Sequence, residues 1–263
     1  MDNTDENQIL PSNNETINDH NNDSEPVIDT EENQVPVFAQ SNNEPTKYQT
    51  YAQIANASYD YYVNPSEVIE APIDGYTVLR EMSDEDSIVF INLNRKEIVL
   101  SIRGTVVSNI KDLHADAHII FNTLESTDRF KSILQKAKAI DKYKGQFKFS
   151  LTGHSLGGML AISVGRKLID DIYGIWAFNA GFSVGQAIDA HVRNLKAKLG
   201  INNSAVRADK TLRTKLHLYT TAKDPISILS RAYDHHKIKA KTNIHSLDNF
   251  IGGRLLFSMI KNN

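Results

Sequence analysis

Cysteine is absent from the 263 residues of this sequence. Its absence excludes disulfide bonds, cysteine-ligated zinc and thiol catalysis, so any nucleophilic side chain has to supply an oxygen or an amine. The sequence also lacks an uninterrupted apolar run of about 20 residues, the length that a membrane-spanning helix needs. We therefore predict no transmembrane segment.

Lysine and arginine are missing from the first 46 positions. All 29 Lys and Arg residues follow Thr46, whereas 11 of the 32 Asp and Glu residues precede it. Residues 1–45 show no apolar period of 2 or 3.6, so they cannot bury enough surface to offset the entropy of ordering. We predict a disordered acidic tail at residues 1–45 and one domain at residues 46–263. The first residues show no features of a secretory signal peptide, so we expect an intracellular protein.

The predicted domain carries an excess of about eight basic charges. These Lys and Arg residues are scattered along the chain rather than concentrated in one motif, which is typical of a solvated surface. We therefore predict no nucleic-acid partner.

The order of apolar patterns predicts an α/β protein. Helices are expected at residues 48–61, 127–142, 156–170 and 186–198. Strands are expected at residues 76–80, 87–92, 97–103, 147–152, 175–179 and 215–220. Because strands and helices alternate over much of this pattern, the economical architecture is a mostly parallel central sheet flanked by helices.

One motif in this pattern carries chemistry. The run from Gly153 to Gly157, Gly-His-Ser-Leu-Gly, fits the G-x-S-x-G pattern and lies between a predicted strand and a predicted helix. Glycines at its two ends permit a sharp turn in which backbones approach closely. The alternative is a glycine-rich turn of an ordinary α/β protein. We favour a nucleophile elbow, with Ser155 as the nucleophile of a serine hydrolase.

A serine hydroxyl needs a carboxylate-supported histidine to act at neutral pH. In this type of fold the acid and then the base follow the serine along the chain. Asp224 comes soon after a predicted strand and precedes Pro225, so we favour it as the acid. Asp209, in the preceding predicted loop, and Asp234 are weaker candidates.

Three histidines follow Asp224 in the sequence. We favour His245 as the base, because it lies in a polar loop before an apolar helix predicted at residues 250–260. His235 and His236 are alternatives, although they are more simply explained as a surface pair in a basic linker. His217 is expected to be an ordinary strand histidine.

A serine hydrolase also needs two backbone donors for the negatively charged oxygen that forms on its substrate. The residue after the serine, Leu156, supplies one donor, and the loop of Arg103, Gly104 and Thr105 is well placed to supply the other.

Together, four segments of this sequence resemble the class 3 lipases, the fungal triacylglycerol lipase type of α/β-hydrolase. The resemblance covers roughly residues 48–257 and rests on residues 101–105, residues 151–161, residues 223–225 and a histidine late in the chain. It implies an α/β-hydrolase fold and hydrolysis of carboxylic esters of lipids, as by a triacylglycerol lipase, a phospholipase or a carboxylesterase. It implies no metal or organic cofactor.

The resemblance also implies a role for each site residue. Ser155 attacks the ester carbonyl, His245 moves the proton, and Asp224 orients the imidazole, while the amides of Thr105 and Leu156 bind the oxyanion. The implied substrate is a lipid or a small ester, with peripheral contact to a membrane surface.

The sequence departs from the family in three respects. Ile102 stands where the family often has an aromatic residue, and the signal peptide and disulfides of secreted members are missing. The segment in the lid position, residues 106–110, is short and weakly apolar, which favours soluble or monomeric esters.

Other interpretations remain open at this point. One is a catalytically silent α/β-hydrolase fold used for binding, and another is a peptidase or thioesterase on the same fold. A third is a metal site, because alternate residues of a strand share one face and His114, Asp116 and His118 are spaced in that way. The acidic residues here are better explained as structural residues that follow the loop of Arg103, Gly104 and Thr105.

Overall fold

The computed structural model of this protein describes residues 46–106, 123–143, 145–182, 184–240 and 243–251. The predicted tail at residues 1–45 lies outside the described residues, as do His114, Asp116 and His118. The domain boundary at residue 46 therefore stays a prediction. In the part of the chain that is described, no helix combines the length and the apolar character needed to cross a membrane.

The strands in the described ranges form one seven-stranded sheet in chain order. The strands are β1 (Thr77–Val78), β2 (Ser87–Asn92), β3 (Glu97–Ile102), β4 (Lys148–His154), β5 (Gly174–Phe178), β6 (Leu216–Thr221) and β7 (His236–Ile238). β1, β2 and β3 pair antiparallel, and β3 to β7 pair parallel. The predicted mostly parallel sheet is confirmed.

Helices flank this sheet, as the sequence predicts. They are α1 (Lys47–Val63), α2 (Pro65–Glu70), α3 (Asp128–Asp141), α4 (Leu156–Lys167), α5 (Val184–Lys198), α6 (Ser204–Lys215) and α7 (Asp248–Ile251). The sequence patterns did not predict α2, α6 or β7. The strand predicted at residues 76–80 is shorter in the structure, because a 3₁₀ turn begins at Arg80.

Each face of the sheet has its own apolar core, because side chains alternate along every strand. On β5, Ile175 and Ala177 belong to the cluster that includes side chains of α3 to α6, whereas Trp176 and Phe178 belong to the cluster beneath α1 and α7. Neighbouring parallel strands joined by right-handed crossovers place their connecting helices on the same face. This rule explains why α3 to α6 share one face.

The topology brings the predicted site residues to one edge of the sheet. The parallel strands β3, β4 and β6 end just before Gly104, Ser155 and Asp224, respectively. Parallel strands direct their carboxyl ends to a common edge, where ligands of such folds bind. Three segments far apart in sequence thus meet by strand pairing alone.

Candidate active site

Ser155 occupies the single residue between β4 and α4. Its backbone has φ 57° and ψ −124°, a conformation that glycine adopts far more readily than serine. Two hydrogen bonds hold it there: the Ser155 amide donates to the Phe178 carbonyl at 2.9 Å, and the Met159 amide donates to the Ser155 carbonyl at 3.1 Å. The predicted strand, turn and helix are therefore present, and the turn is a strained one.

The glycines of the motif are required by close backbone contacts. A Cβ atom on Gly157 would lie 2.1 Å from the carbonyl oxygen of Ile102, and one on Gly153 would lie 2.4 Å from that of Gly157. No side chain fits at either distance. These contacts let the first turn of α4 cross directly over the ends of β3 and β4.

Asp224 and His245 form a buried pair. Asp224 Oδ1 lies 3.0 Å from His245 Nδ1, and Asp224 Oδ2 accepts from the Ser227 amide at 3.0 Å. Burial alone raises the pKa of Asp224, but its interactions with His245 and Ser227 outweigh burial and hold that pKa below its ordinary value. An ionised Asp224 fixes the tautomer of His245 with its proton on Nδ1, leaving Nε2 free to accept a proton.

Ser155 and His245 line one cavity of about 280 Å³. Among the described residues, Ser155 Oγ and His245 Nε2 are both buried without a hydrogen-bond partner. The structure thus has no hydrogen bond between them, although serine–histidine contacts of this kind are often long until substrate binds. Two unpaired polar atoms on residues that line one cavity are unusual in a protein interior, where such groups are normally satisfied.

The loop that carries His245 is held by side-chain amides. Asn243 Oδ1 accepts from the His245 amide at 3.1 Å, and Asn249 Nδ2 donates to the carbonyls of Asn243 and Ser246 at 2.7 and 3.0 Å. Asn249 belongs to α7, which the structure describes only to Ile251. The helix predicted at residues 250–260 therefore lies mostly outside the described residues.

Thr105 and Leu156 are the residues whose amides the sequence predicts as oxyanion donors. Thr105 lines the same cavity as Ser155, and Leu156 begins α4, where the first backbone amides have no partner within the helix. Gly104 packs tightly beside them, since a Cβ atom there would lie 2.1 Å from Tyr59 Oη and 2.6 Å from the His154 carbonyl oxygen.

The loop of Arg103, Gly104 and Thr105 is braced by residues that the sequence patterns did not predict. The Arg129 guanidinium donates to the carbonyl of Arg103 and forms an ion pair with Asp86 at 2.8 Å. The Arg103 side chain donates to the Glu85 carbonyl and lies 4.1 Å from the Tyr62 ring centroid. Arg129 follows the loop by 26 positions, and no local motif marks its role.

Solved structures share this architecture. A variant of MDLA from Penicillium cyclopium matches with a TM-score of 0.50 and 17% sequence identity, over 76% of this chain and 83% of that one. A fungal lipase matches with the same score and identity, over 82% and 85%. The chain has the α/β-hydrolase fold of the fungal lipases. The fold implied by the sequence resemblance is thus confirmed.

A curated sequence also resembles part of this lipase-fold chain. A GDSL esterase/lipase of Arabidopsis thaliana is 30% identical over 122 residues, which are 44% of this chain and 35% of the relative. The chain therefore spans about a third of the length of that relative. No family model matches the sequence.

Asp209 has a different environment from the one predicted. It lies in α6 of the lipase fold rather than in a loop, and it pairs with Arg193 at 3.0 Å and Arg213 at 2.9 Å. It also accepts from the Tyr233 hydroxyl at 3.1 Å. These contacts make Asp209 part of a buried structural network, and they give it no contact with a histidine.

The explanation of His235 and His236 as a surface pair is wrong. His235 is 3% exposed, and its Nδ1 lies 3.1 Å from the Tyr233 carbonyl oxygen. His236 begins β7, where its ring stacks on Tyr219 with centroids 4.8 Å apart. His217 lies in β6, as predicted, and its ring stacks on Trp176 at 4.6 Å. None of these three histidines lines the cavity of Ser155.

His154 is a buried titratable group of the elbow. The pKa of His154 is lowered to about 3, mainly by burial and to a smaller extent by the nearby His245 ring. The backbone contact with His245 and the charge of Asp224 act in the opposite direction. The hydroxyl of Tyr59 also faces this ring, 3.0 Å from Nδ1. The ring therefore stays neutral in the folded protein at neutral pH.

Acidification is expected to destabilise the fold through His154. An unfolded histidine takes up a proton near pH 6.5, whereas the folded ring does so only near pH 3. Because the folded pKa is the lower one, the contribution of the neutral His154 ring to the free energy of unfolding is complete above pH 6.5. It falls by about 1.4 kcal/mol per pH unit as the pH drops toward 3.

Urea unfolding of the wild type and His154→Gln at pH 7.0 and 4.5 measures this effect. The wild type is expected to lose roughly 2–3 kcal/mol more than His154→Gln between the two pH values. Equal losses in the two proteins would contradict a buried neutral histidine.

Proposed function

We propose that this protein is a serine hydrolase that cleaves carboxylic esters of lipids or related small esters. The observation that carries the proposal is the convergence of Ser155, His245 and Thr105 on one cavity, with Asp224 hydrogen-bonded behind His245. Such a constellation is recognised by geometry and roles rather than by sequence position. The esterase/lipase name of the Arabidopsis relative is consistent with the proposal.

In the proposed reaction, Ser155 Oγ attacks the ester carbonyl carbon while His245 Nε2 takes the hydroxyl proton. Asp224, held ionised by its contacts, stabilises the imidazolium that forms on His245. The carbonyl oxygen becomes an oxyanion, which the amides of Thr105 and Leu156 stabilise. The tetrahedral intermediate collapses as His245 protonates the leaving alcohol, and an acyl group remains on Ser155.

Water completes the proposed cycle. His245 Nε2 removes a proton from the water that attacks the acyl-enzyme carbonyl, and the same two amides again stabilise the oxyanion. Collapse of this second intermediate breaks the bond to Ser155 Oγ, which recovers its proton from His245. The products are a carboxylic acid and an alcohol, and the enzyme returns to its starting state.

The cavity wall suggests the size of the preferred substrate. Its described lining is mixed, with Val106 and Leu247 supplying apolar surface and Asn56, Asn243 and Ser246 supplying polar groups. A cavity of about 280 Å³ is at the small end of ligand sites. We propose soluble short-chain esters as the best substrates, with lipid surfaces contacted peripherally.

Labelling with a fluorophosphonate, together with hydrolysis of two p-nitrophenyl esters, tests this function. We expect the reagent to modify one serine per chain, identified as Ser155 by mass spectrometry, because only an activated serine reacts readily. Turnover of p-nitrophenyl butyrate should exceed that of the palmitate ester by at least about tenfold.

The possible outcomes separate the alternatives. A folded protein that is neither labelled nor active would support a silent binding protein and overturn the proposal. Labelling with hydrolysis of peptides or thioesters, but not of oxygen esters, would reassign the substrate class. A preference for palmitate would reject only the proposed chain length.

A further inference from the structure

His154 fills a position at which the G-x-S-x-G motif requires no particular side chain. Nevertheless it is only 7% exposed and contacts two separate parts of the site. Its Nδ1 lies 3.0 Å from the hydroxyl of Tyr59 on α1, and its Nε2 lies 2.6 Å from the backbone carbonyl oxygen of His245. The ring therefore bridges α1 and the loop that carries the proposed base.

The partners of His154 determine its tautomer. A backbone carbonyl oxygen can only accept a hydrogen bond, so Nε2 carries the proton and donates it to the His245 carbonyl. A neutral imidazole has one N–H, and Nδ1 is therefore the acceptor for the Tyr59 hydroxyl. Both ring nitrogens are satisfied, and the two hydrogen bonds of the ring both run in the direction from Tyr59 to His245.

This arrangement adds a third anchor to the proposed base, whose backbone amide already donates to Asn243 Oδ1. The His245 side chain is held through Nδ1 by Asp224. A ring held at that one atom can still pivot, and such a pivot changes where Nε2 points. The bond from His154 restrains the backbone carbonyl of His245, which neither Asp224 nor Asn243 contacts through the hydrogen bonds above. Displacements of about 1 Å in a catalytic group lower rates by as much as about 100-fold.

We propose that His154 is a positioning residue for His245, and that the Tyr59 hydroxyl holds the His154 ring in the orientation that this role needs. The inference rests on the proposed hydrolase function, because its consequence is a faster reaction of Ser155. His154 does not itself serve as the base, since its Nε2 is protonated and its Nδ1 is engaged by Tyr59.

The neutral state of His154 suits this role. Its ring centroid lies 4.7 Å from that of His245. His245 becomes positively charged when it takes the serine proton, and a second positive charge at that separation would oppose the step. A buried neutral ring donates its hydrogen bond without imposing this repulsion.

Three variants test the proposal in the full-length protein. His154→Leu removes both ring contacts, His154→Gln keeps a neutral side chain with an N–H donor group and a carbonyl acceptor, and Tyr59→Phe removes only the hydroxyl. His217→Leu serves as a matched control, because His217 is a partly buried ring on β6 outside the cavity. Circular dichroism and thermal unfolding verify the fold of each protein.

The readouts are kcat and KM for p-nitrophenyl butyrate, the rate of fluorophosphonate labelling, and the downfield proton resonance of His245 Nδ1–H. We expect His154→Leu to lower kcat about 30- to 100-fold with KM changed less than about threefold, and to broaden the resonance. His154→Gln should recover at least about a third of the wild-type kcat. Tyr59→Phe should lower kcat about 3- to 10-fold in the wild type but have no further effect in His154→Leu.

Each result decides between structural and positioning roles. Equal kcat in His154→Leu, His217→Leu and the wild type, with the His245 resonance unchanged, would overturn the proposal. So would equal losses in the Gln and Leu variants, or additive effects of the Tyr59 and His154 changes. If His154→Leu does not fold, Tyr59→Phe and His154→Gln decide through kcat and the resonance. Failure of the wild type to label at Ser155 would instead reject the hydrolase function itself.

Discussion

Ser155→Ala is expected to lower kcat for p-nitrophenyl butyrate by a factor on the order of 10⁴ or more and to abolish fluorophosphonate labelling. The substitution removes the attacking oxygen, and the remaining oxyanion donors and binding groups accelerate only the slow attack of water. Steady-state kinetics with enzyme at micromolar concentration measures the residual rate.

Ser163→Ala is the matched control for this experiment. Ser163 is also buried, at 3% exposure, and lies on the same helix, α4, one residue before its last turn. It lies outside the cavity lining, so the control should retain full activity. Activity of Ser155→Ala near the wild-type level would show that another residue, or a contaminating esterase, performs the reaction.

His245→Ala is expected to lower kcat by a factor comparable to that of Ser155→Ala, because a serine without its base loses most of its reactivity. Asp224→Asn should cost roughly 10³- to 10⁴-fold, since it leaves the imidazole without its orienting charge. Both variants should react with the fluorophosphonate far more slowly than the wild type. The same ester and labelling measurements apply.

His235→Ala provides the comparison that identifies the base. His235 follows Asp224 in sequence as His245 does and is also buried, but it contacts the Tyr233 carbonyl and not a carboxylate. It is expected to keep kcat within about threefold of the wild type. A large loss of kcat in His235→Ala, together with an active His245→Ala, would assign the role of the base to His235.

The sequence predicts much of this fold because local rules and tertiary packing agree over most of the chain. β2 begins and ends at the predicted residues, and α3 departs from its prediction by one residue at each end. These segments have clear apolar periods that match their buried faces. The turn at Ser155 was predictable for a related reason, since the close approach of Gly157 to Ile102 tolerates no side chain.

The elements that escaped prediction have weak or misleading patterns. The face that α6 buries carries Val206 and Leu212 but also Asp209, whose charge interrupts the apolar period. Asp209 is tolerated there because Arg193 and Arg213 come from elsewhere on α5 and α6 to pair with it. β7 has only three residues, too few to display an alternation.

The surroundings of the candidate site depend on contacts between distant segments. Chain order suggested Asp224 and His245, and the structure brings these two together. No sequence rule pointed to Tyr59, although its hydroxyl lies against His154, 95 positions later. Arg129 is a similar case, because its guanidinium reaches the Arg103 carbonyl only after α3 packs against the sheet. Such partners become visible only in three dimensions.

The backbone conformation of Ser155 sets stability against activity. Its positive φ of 57° costs on the order of 1–3 kcal/mol for any residue with a Cβ atom. Glycine at this position would relieve that cost and give a more heat-resistant protein without the proposed nucleophile. A search for stabilised variants that ignored turnover would therefore favour the loss of Ser155, whereas selection for turnover preserves a serine in a conformation that its side chain disfavours.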